Sequence, residues 1–418
     1  MKLATRRFLF WLSIGFFVVL APLVIGYAIG YRFDFSEGGL VRTGALFVEA
    51  EPKRVEIIID GKPTKRTGTI ITNSTFVRDL APGRHRVRLE KESYQPWEKE
   101  LEIRPAVVTE VRGARLWPAG RAPENVAVLG QIDPGTLRPS PDGRALVWAS
   151  TSGRVRTWLK KDLPDGQVGI LDFATLFGLN SRSAATFASA ATVDWSADSQ
   201  YLVVRRGADW WRLSLDIRRV ERLPRLNGPG LVLTPDTALT IDELGILNAF
   251  SLPNQNIEAI ATAAINPIPT PADRLIALDR DHVLLLDHTG TLRWFNPKSQ
   301  LFEGLATRVR DSVFSPDRTK ILWRTATELW VRSLTPEGQS ELVTRLSSPL
   351  AQALWADRQS AHILFSTGDA VKAIELDARS GRNSADLISV NAPTVFLGSG
   401  GESLLIITAG SLKRLSLR

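Results

Sequence analysis

The chain has no cysteine. Disulfides, thiolate metal sites, a cysteine nucleophile and a lipid carried on cysteine are excluded, while the absence itself fits either a reducing compartment or an envelope that relies on packing alone. Histidine is almost as scarce, with only His85, His282, His288 and His362 among 418 residues. No Gly-x-Ser-x-Gly elbow, Walker loop, dinucleotide fingerprint or Asp-x-Asp-x-Asp-Gly calcium loop is present. The segment "DRDHVLLLDH", Asp279 to His288, gathers acids and two histidines, but its apolar middle reads as a buried strand that sets the histidines at opposite ends. No catalytic residue, metal ligand or cofactor is therefore expected. A formal net charge of +8, spread over this length, hints at anionic surroundings and not at nucleic acid.

What is present begins with "MKLATRRFLFWLSIGFFVVLAPLVIGYAIGYR". Three cations, Lys2, Arg6 and Arg7, precede an uncharged run from Phe8 to Tyr31. As a helix this run spans the roughly 30 Å hydrocarbon core of a bilayer. A cleaved signal peptide has a shorter apolar stretch, about 7–15 residues, and Gly26-Tyr27-Ala28 is a poor cleavage site. The basic flank should stay cytoplasmic and export everything after Arg32. The expected organisation is a cytoplasmic stub over 1–7 and a transmembrane helix over 8–31, in the cell membrane with a single pass. A stub this short has no room for a signalling output.

Residues 32–43 are polar, contain Gly38-Gly39 and read as a short tether. From 44 to 117 the pattern is β throughout. "VEIIIDGKP" enters an Asp60-Gly61 turn, the strongest short hairpin signal. "TFVRDLAPG" leads to Pro82-Gly83, and "RHRVRLEKE" alternates, with His85, Val87 and Leu89 on one side and Arg84, Arg86 and Arg88 on the other. About six short strands without a helical period make a small β-sandwich. Glu51-Pro52, the Val55–Gly61 strand and turn, "L-x-PG-x-H-x-V" from Leu80 to Val87, and Tyr94 with Trp97 give this stretch its resemblance to the PEGA domain family. It departs from the family pattern where Lys53-Arg54 replaces the usual Gly-Ala, and in lacking the Thr-Pro before the third strand. The resemblance implies a non-catalytic, surface-exposed module outside the cell membrane and close to it. Tyr94 and Trp97 are expected to pack on its core.

Beyond Pro118 the sequence repeats. A strand phrase with an apolar anchor recurs at Leu159, Leu215, Leu252, Phe295, Leu334, Leu376 and Leu417, at spacings of 56, 37, 43, 39, 42 and 41. About 20 residues before each copy stands a strand–turn–strand phrase, clearest where it turns on Asp142, Asp198, Asp317 and Asp357. A short acceptor side chain there can take up local backbone N–H groups. Repeats of about 40 residues with several short strands are β-propeller blades. The phrases resemble TolB-like and WD-type propellers, whose blades carry "SPDG" turns. The expected fold class is all-β: transmembrane helix, PEGA-like β-sandwich, then a seven-bladed β-propeller over 121–418. The excess length near 168–190 reads as a short helix or a protruding loop. "ENVAVLG", Glu124 to Gly130, is expected to pair with the Ser411–Leu417 strand and supply the fourth strand of the last blade.

Two surfaces stand out as candidates. Arg84, Arg86 and Arg88 share one strand face, which is either a solvated sheet edge or a contact for anionic headgroups or wall polymer. Nine of the twelve tryptophans lie in the repeats. Those at strand positions, Trp148, Trp195, Trp211, Trp323, Trp330 and Trp355, read as packing between blades. Trp210 adjoins Trp211, and strand neighbours face opposite ways, so Trp210 is the candidate exposed aromatic contact. The expected function is a non-enzymatic binding or scaffold protein of the cell envelope that recruits a protein or cell-wall polymer to the outer face of the membrane. The alternative is a propeller enzyme of lyase or cyclase type with a pocket on the axis.

Overall fold

A continuous apolar helix, α1 (Leu3–Ala28), opens the computed structural model, which describes residues 3–418 apart from 35–38, 65–73, 134, 164–165, 215–218, 224–227, 235, 253–255, 271 and 336–337. Its Phe8–Ala28 portion has a mean hydropathy of 2.6 and is long and apolar enough to cross a membrane. The chain divides into two compact units, one of residues 1–120 with Asp377–Ala385, the other of Arg121–Leu376 with Asp386–Arg418.

In the first unit, the described parts of the stretch 32–43, residues 32–34 and 39–43, are not the tether expected from composition. β1 (Tyr31–Asp34) and β2 (Gly39–Arg42) pair antiparallel. Backbone donors that a free linker would leave to water are used within this hairpin. The sandwich follows as β3 (Gly44–Glu51), β4 (Glu56–Ile59), β5 (Lys62–Pro63), β6 (Ser74–Leu80), β7 (Gly83–Glu90), β8 (Trp97–Ile103) and β9 (Val108–Arg115). One sheet has the order β6-β3-β9 and the other β5-β4-β7-β8. Between them lie Leu46, Val48, Ile57, Ile59, Val87, Leu89, Leu101 and Ile103, alternate residues of their strands, as period-2 burial requires. Trp97 is buried in this core, and Tyr94 packs against it, as expected.

Asp60 and Gly61 form a two-residue loop between Ile59 and Lys62, both with positive φ, at 49° and 77°. That is the backbone twist a two-residue hairpin needs, and glycine at the second position adopts it without steric cost. The Asp60 carboxylate then ties the loop to β7, accepting from the Arg86 N–H at 2.9 Å and meeting His85 Nδ1 at 2.6 Å. Pro82-Gly83 makes a tight turn too, but it carries the chain from one sheet to the other, because β6 and β7 belong to different sheets.

Among the described residues, the second unit holds seven four-stranded antiparallel sheets. Six are built from consecutive strands, over 138–170, 192–222, 230–259, 274–306, 311–345 and 352–389. The seventh combines three C-terminal strands, Thr394–Leu397, Ser403–Thr408 and Ser411–Ser416, with β10 (Glu124–Val128). β10 pairs with the last strand as expected, in the register Glu124 opposite Arg414 and Val128 opposite Ser411. The cores between sheets draw on both neighbours. Trp148 of the first sheet packs with Phe396, Leu405 and Leu412 of the seventh, and Trp323 of the fifth with Leu284 and Leu292 of the fourth.

The repeat phasing is right in kind and shifted in detail. Leu252, Leu334, Leu376 and Leu417 each donate a backbone N–H to the residue that precedes the second strand of their own sheet. Leu163, not Leu159, makes that bond in the first sheet. Phe295 lies inside its strand, paired with Phe302. Leu215 falls outside the described residues. The excess length of the first repeat folds as two helices, α2 (Phe173–Phe177) and α3 (Ser181–Ala190). Asp172 and Asn180 cap them, and Phe173 and Phe187 fill the space between the first and second sheets with Trp158 and Trp195.

Candidate functional site

One cavity of the second unit, with a volume of about 790 Å³, touches the first strand of every one of the seven sheets. Its wall takes Arg138, Asp194, Gly230, Arg274, Asp311, Gln352 and Thr394 from those strands in turn. Neighbouring first strands are linked side chain to side chain. Arg138 Nε lies 2.8 Å from Asp194 Oδ1, and Arg274 Nη1 lies 3.0 Å from Asp311 Oδ1. Gln352 reads the Val395 backbone with both amide atoms, at 2.6 and 2.9 Å. Arg205 also faces the cavity, its guanidinium 5.4 Å from the Trp210 ring centroid, within cation–π range. The lining thus combines paired charges, amide and hydroxyl groups with Trp158, Trp195 and Trp210.

A second cavity, of about 530 Å³, opens between the fourth and fifth sheets. Arg308 and Arg310 stand exposed on its lip, on either side of buried Val309, beside His288 and Thr327. Burial, opposed by Asp311 and reinforced by Arg310 and Arg274, lowers the pKa of the nearby Arg324 guanidinium.

The arginine and aspartate residues of the first cavity were not singled out in the sequence. A signal for them existed. Arg138, Asp194 and Asp311 stand an even number of residues ahead of the turn aspartates Asp142, Asp198 and Asp317, on the strand that opens each sheet. Within a chain rich in arginine and aspartate, that signal names a position without naming its partner.

The turn aspartates do what their spacing implies. Asp142, Asp198 and Asp317 each accept from the hydroxyl two residues before and the N–H two residues after, at 2.5–3.1 Å. Asp357 accepts from the Ala361 N–H and from His362 Nδ1. Burial pulls the Asp317 carboxyl upward, but bonds from Ser315 and Thr319 outweigh it and leave the pKa well below the ordinary carboxylate range. Asp287 behaves alike, held low by Thr289, Thr291 and Arg293 against the pull of burial. A group with a depressed folded pKa stabilises above its unfolded value, near 3.9, and the contribution is lost as pH falls through the folded value. The urea midpoint of the second unit should therefore hold steady down to about pH 5 and fall below about pH 4. Asp317→Asn keeps an acceptor but no charge. It should cost about 1 kcal/mol at pH 7 and flatten part of the acid limb. An acid limb unchanged by the substitution would show that this turn does not carry it.

All four histidines meet an aspartate through Nδ1, His85 with Asp60, His282 with Asp279, His288 with Asp273 and His362 with Asp357, at 2.6–2.9 Å. His282 and His288 flank the strand Val283–Leu286 at opposite ends. His282 bonds within its own turn, whereas His288 reaches back to Asp273, so the two have separate partners.

Two sequence-level candidates need correction. Arg84, Arg86 and Arg88 do share a face, but β7 lies inside its sheet, between β4 and β8, so that face is no sheet edge. Opposite them in register stand Glu102, Glu100 and Glu98 of β8. Arg84 reaches Glu100 at 3.8 Å, Arg86 reaches Glu98 at 3.3 Å, and Arg88 reaches Glu90 and Glu98 at 2.5 and 3.4 Å. The face is a ladder of mixed charge in which each cation has a carboxylate neighbour. Trp210 is not an exposed contact. It is 3% exposed and packs with Val203, Leu223, Ala238 and Phe250, whereas Trp211 on the opposite face is half-buried against Phe177 and Phe187. Alternation along the strand held, and the third sheet covers the side on which Trp210 lies.

No curated protein matches the chain. Among solved structures it is similar to the beta-propeller domain of Cps50 (Swd1) from Myceliophteria thermophila, at 10% identity and a TM-score of 0.43, over 71% of this chain and 100% of that one. Residues 43–114, which take in all but the last residue of the two-sheet sandwich of the first unit, match the model of the PEGA domain family.

Proposed function

We propose that this chain is a membrane-anchored, extracytoplasmic binding or scaffold protein of the cell envelope, whose seven four-stranded sheets form a seven-bladed propeller of the TolB-like or WD type. The observation that carries the reading is a cavity bordered by the first strand of each of the seven sheets, the position of the axis in a propeller. Its carboxylates Asp194, Asp273 and Asp311 are each engaged by Arg138, His288 and Arg274. Charges held in pairs, together with hydroxyls, an amide and indoles, suit recognition of an extended polar ligand more than proton transfer. The basic flank of the apolar helix supports a cytoplasmic N-terminus and exported units. The ligand class is a protein or a cell-wall polymer, with no nucleic acid and no cofactor.

The absence of cysteine makes the reading testable in place, because any cysteine introduced is the only one. Photocrosslinkers placed singly at Thr192, Gln352 and Thr394, on the cavity wall, should capture a discrete partner in intact spheroplasts. The same label at exposed Val155 or Leu301 should not. Equal capture at all positions, or capture at Val155 and Leu301 alone, would remove the cavity as the binding site.

A further inference from the structure

The join between the apolar helix and the sandwich is short and hydrogen-bonded throughout. Only Ile29 and Gly30 separate the end of α1 from β1. The helical bonding continues through them, with the Ile29 N–H bonded to the Ile25 carbonyl at 2.9 Å and the Gly30 N–H to Tyr27 at 3.2 Å. Gly30 turns the chain at a φ of 92°, and its carbonyl accepts from both the N–H and the hydroxyl of buried Thr43, at 2.8 and 2.9 Å. Thr43 in turn accepts from the Ala106 N–H of the sandwich at 3.0 Å. Arg32 closes the corner from the other side. Its guanidinium carbon lies 3.6 Å from the Tyr27 ring centroid, Nη1 donates to the Tyr27 carbonyl at 2.8 Å, and Nη2 pairs with Asp79 of β6 at 2.8 Å.

The hairpin held by this corner has two unlike faces. Tyr31 stands opposite Arg42, and Arg32 opposite Val41. Arg32 and Val41 are half-buried toward the unit, while Tyr31, Leu40 and Arg42, which share the alternate face, are exposed, Leu40 by 69%. An aromatic, an aliphatic and a cation on one exposed face are an odd choice for water. They are the mixture found at the boundary between headgroups and acyl chains. The distances fit. The 21 residues of the apolar span make a helix about 31 Å long, close to the roughly 30 Å hydrocarbon core. The two linking residues then reach at most about 7 Å further, which is within the headgroup layer.

We propose that the β1–β2 hairpin is a lipid-contact plate, seated in the headgroup layer of the membrane through Tyr31, Leu40 and Arg42, so that the sandwich stands at a fixed height and does not swing on a tether. This rests on the membrane-anchor reading, and the test separates the two. The full-length chain is reconstituted in phospholipid nanodiscs with a nitroxide on one introduced cysteine at a time, Val18→Cys in the span, Leu40→Cys on the plate and Lys62→Cys on the exposed β5. Collision with oxygen and with a water-soluble nickel complex gives each label's depth. The expected result is a Leu40 label several-fold less accessible to nickel than the Lys62 label, and shallower than the Val18 label. A deep Val18 label with a Leu40 label as accessible to nickel as Lys62 would overturn the plate and leave the anchor. A Val18 label open to nickel would overturn the anchor, and the plate with it.

Discussion

Replacing Lys99 with methionine is expected to destabilise the first unit by about 3 kcal/mol. Lys99 is on β8, in the sheet with the arginine ladder, and its side chain is only 1% exposed. Its ammonium donates to three backbone carbonyls of the segment Asp377–Ala385, those of Asp377 at 2.6 Å, Arg379 at 2.9 Å and Gly381 at 2.7 Å. The Asp377 carboxylate lies 3.9 Å away. Methionine has nearly the same shape and no donor, so the substitution leaves little cavity and removes all three bonds at once. Bonds from a charged donor are each worth about 1.5–3 kcal/mol, and breaking a buried charged contact costs about 3–5 kcal/mol. Arg379, exposed and bonded through Nη1 to the Glu110 carbonyl, is then held by that contact with far less help. Limited trypsin digestion should cut after Arg379 in the variant well before it does in the parent, with a matching drop in the melting temperature of this unit. Lys91→Met is the control, since the exposed Lys91 ammonium donates to the Lys53 carbonyl and surface contacts of that kind are worth at most about 1 kcal/mol. Equal digestion rates for the two variants would show that Lys99 does not hold the segment.

Local signals carried the parts of the fold that were readable in the sequence. The Asp60-Gly61 loop, the aspartate turns at Asp142, Asp198, Asp317 and Asp357, and the pairing of β10 with the last strand were all legible. Turn chemistry is set within a few residues, and a repeat that lacks one strand must find it elsewhere. The misreadings share a different cause. Arg84, Arg86 and Arg88 were correctly placed on one face, but the strand beside them could not be read. Glu98, Glu100 and Glu102 lie on the next strand, 10, 14 and 18 residues beyond Arg88, Arg86 and Arg84, and whether they face the arginines depends on sheet order. The same holds for Trp210. Period-2 alternation says that it and Trp211 part ways, yet which of them meets solvent is decided by the next sheet and by the inserted helices α2 and α3. The stretch 32–43 was read as a tether because glycine and polar residues usually mean one. Thr43 and Arg32, the residues that weld it, carry no local mark of that role.

Deleting residues 411–418 should abolish cooperative folding of the whole second unit, and not merely fray a tail. The strand Ser411–Ser416 is hydrogen-bonded on both sides, to Ser403–Thr408 within its own hairpin and to β10 from the start of the unit. Arg414 also pairs with Glu124 at 2.9 Å, and Arg121 Nη1 donates to the carbonyl of Arg418. Leu412, Leu415 and Leu417 are 0%, 3% and 2% exposed. At about 1.5–3 kcal/mol for each buried leucine, their loss alone removes roughly 5–9 kcal/mol. That is comparable to the whole stability of a typical domain, about 5–15 kcal/mol. The consequence does not stop at the seventh sheet. Leu412 packs in one cluster with Leu146 and Trp148 of the first sheet and with Phe396 and Leu405 of the seventh, so stripping it opens a seam on which both sheets depend. A milder change keeps the claim measurable if the truncated chain is insoluble. Leu412→Ala should cost about 2–5 kcal/mol. It should lower the transition of the second unit as a whole, with tryptophan fluorescence and far-ultraviolet circular dichroism still coincident. A truncated chain that keeps the parent's transition, or a Leu412→Ala variant in which the two probes separate, would mean that the last strand is an appendage and that the seven sheets do not stand or fall together.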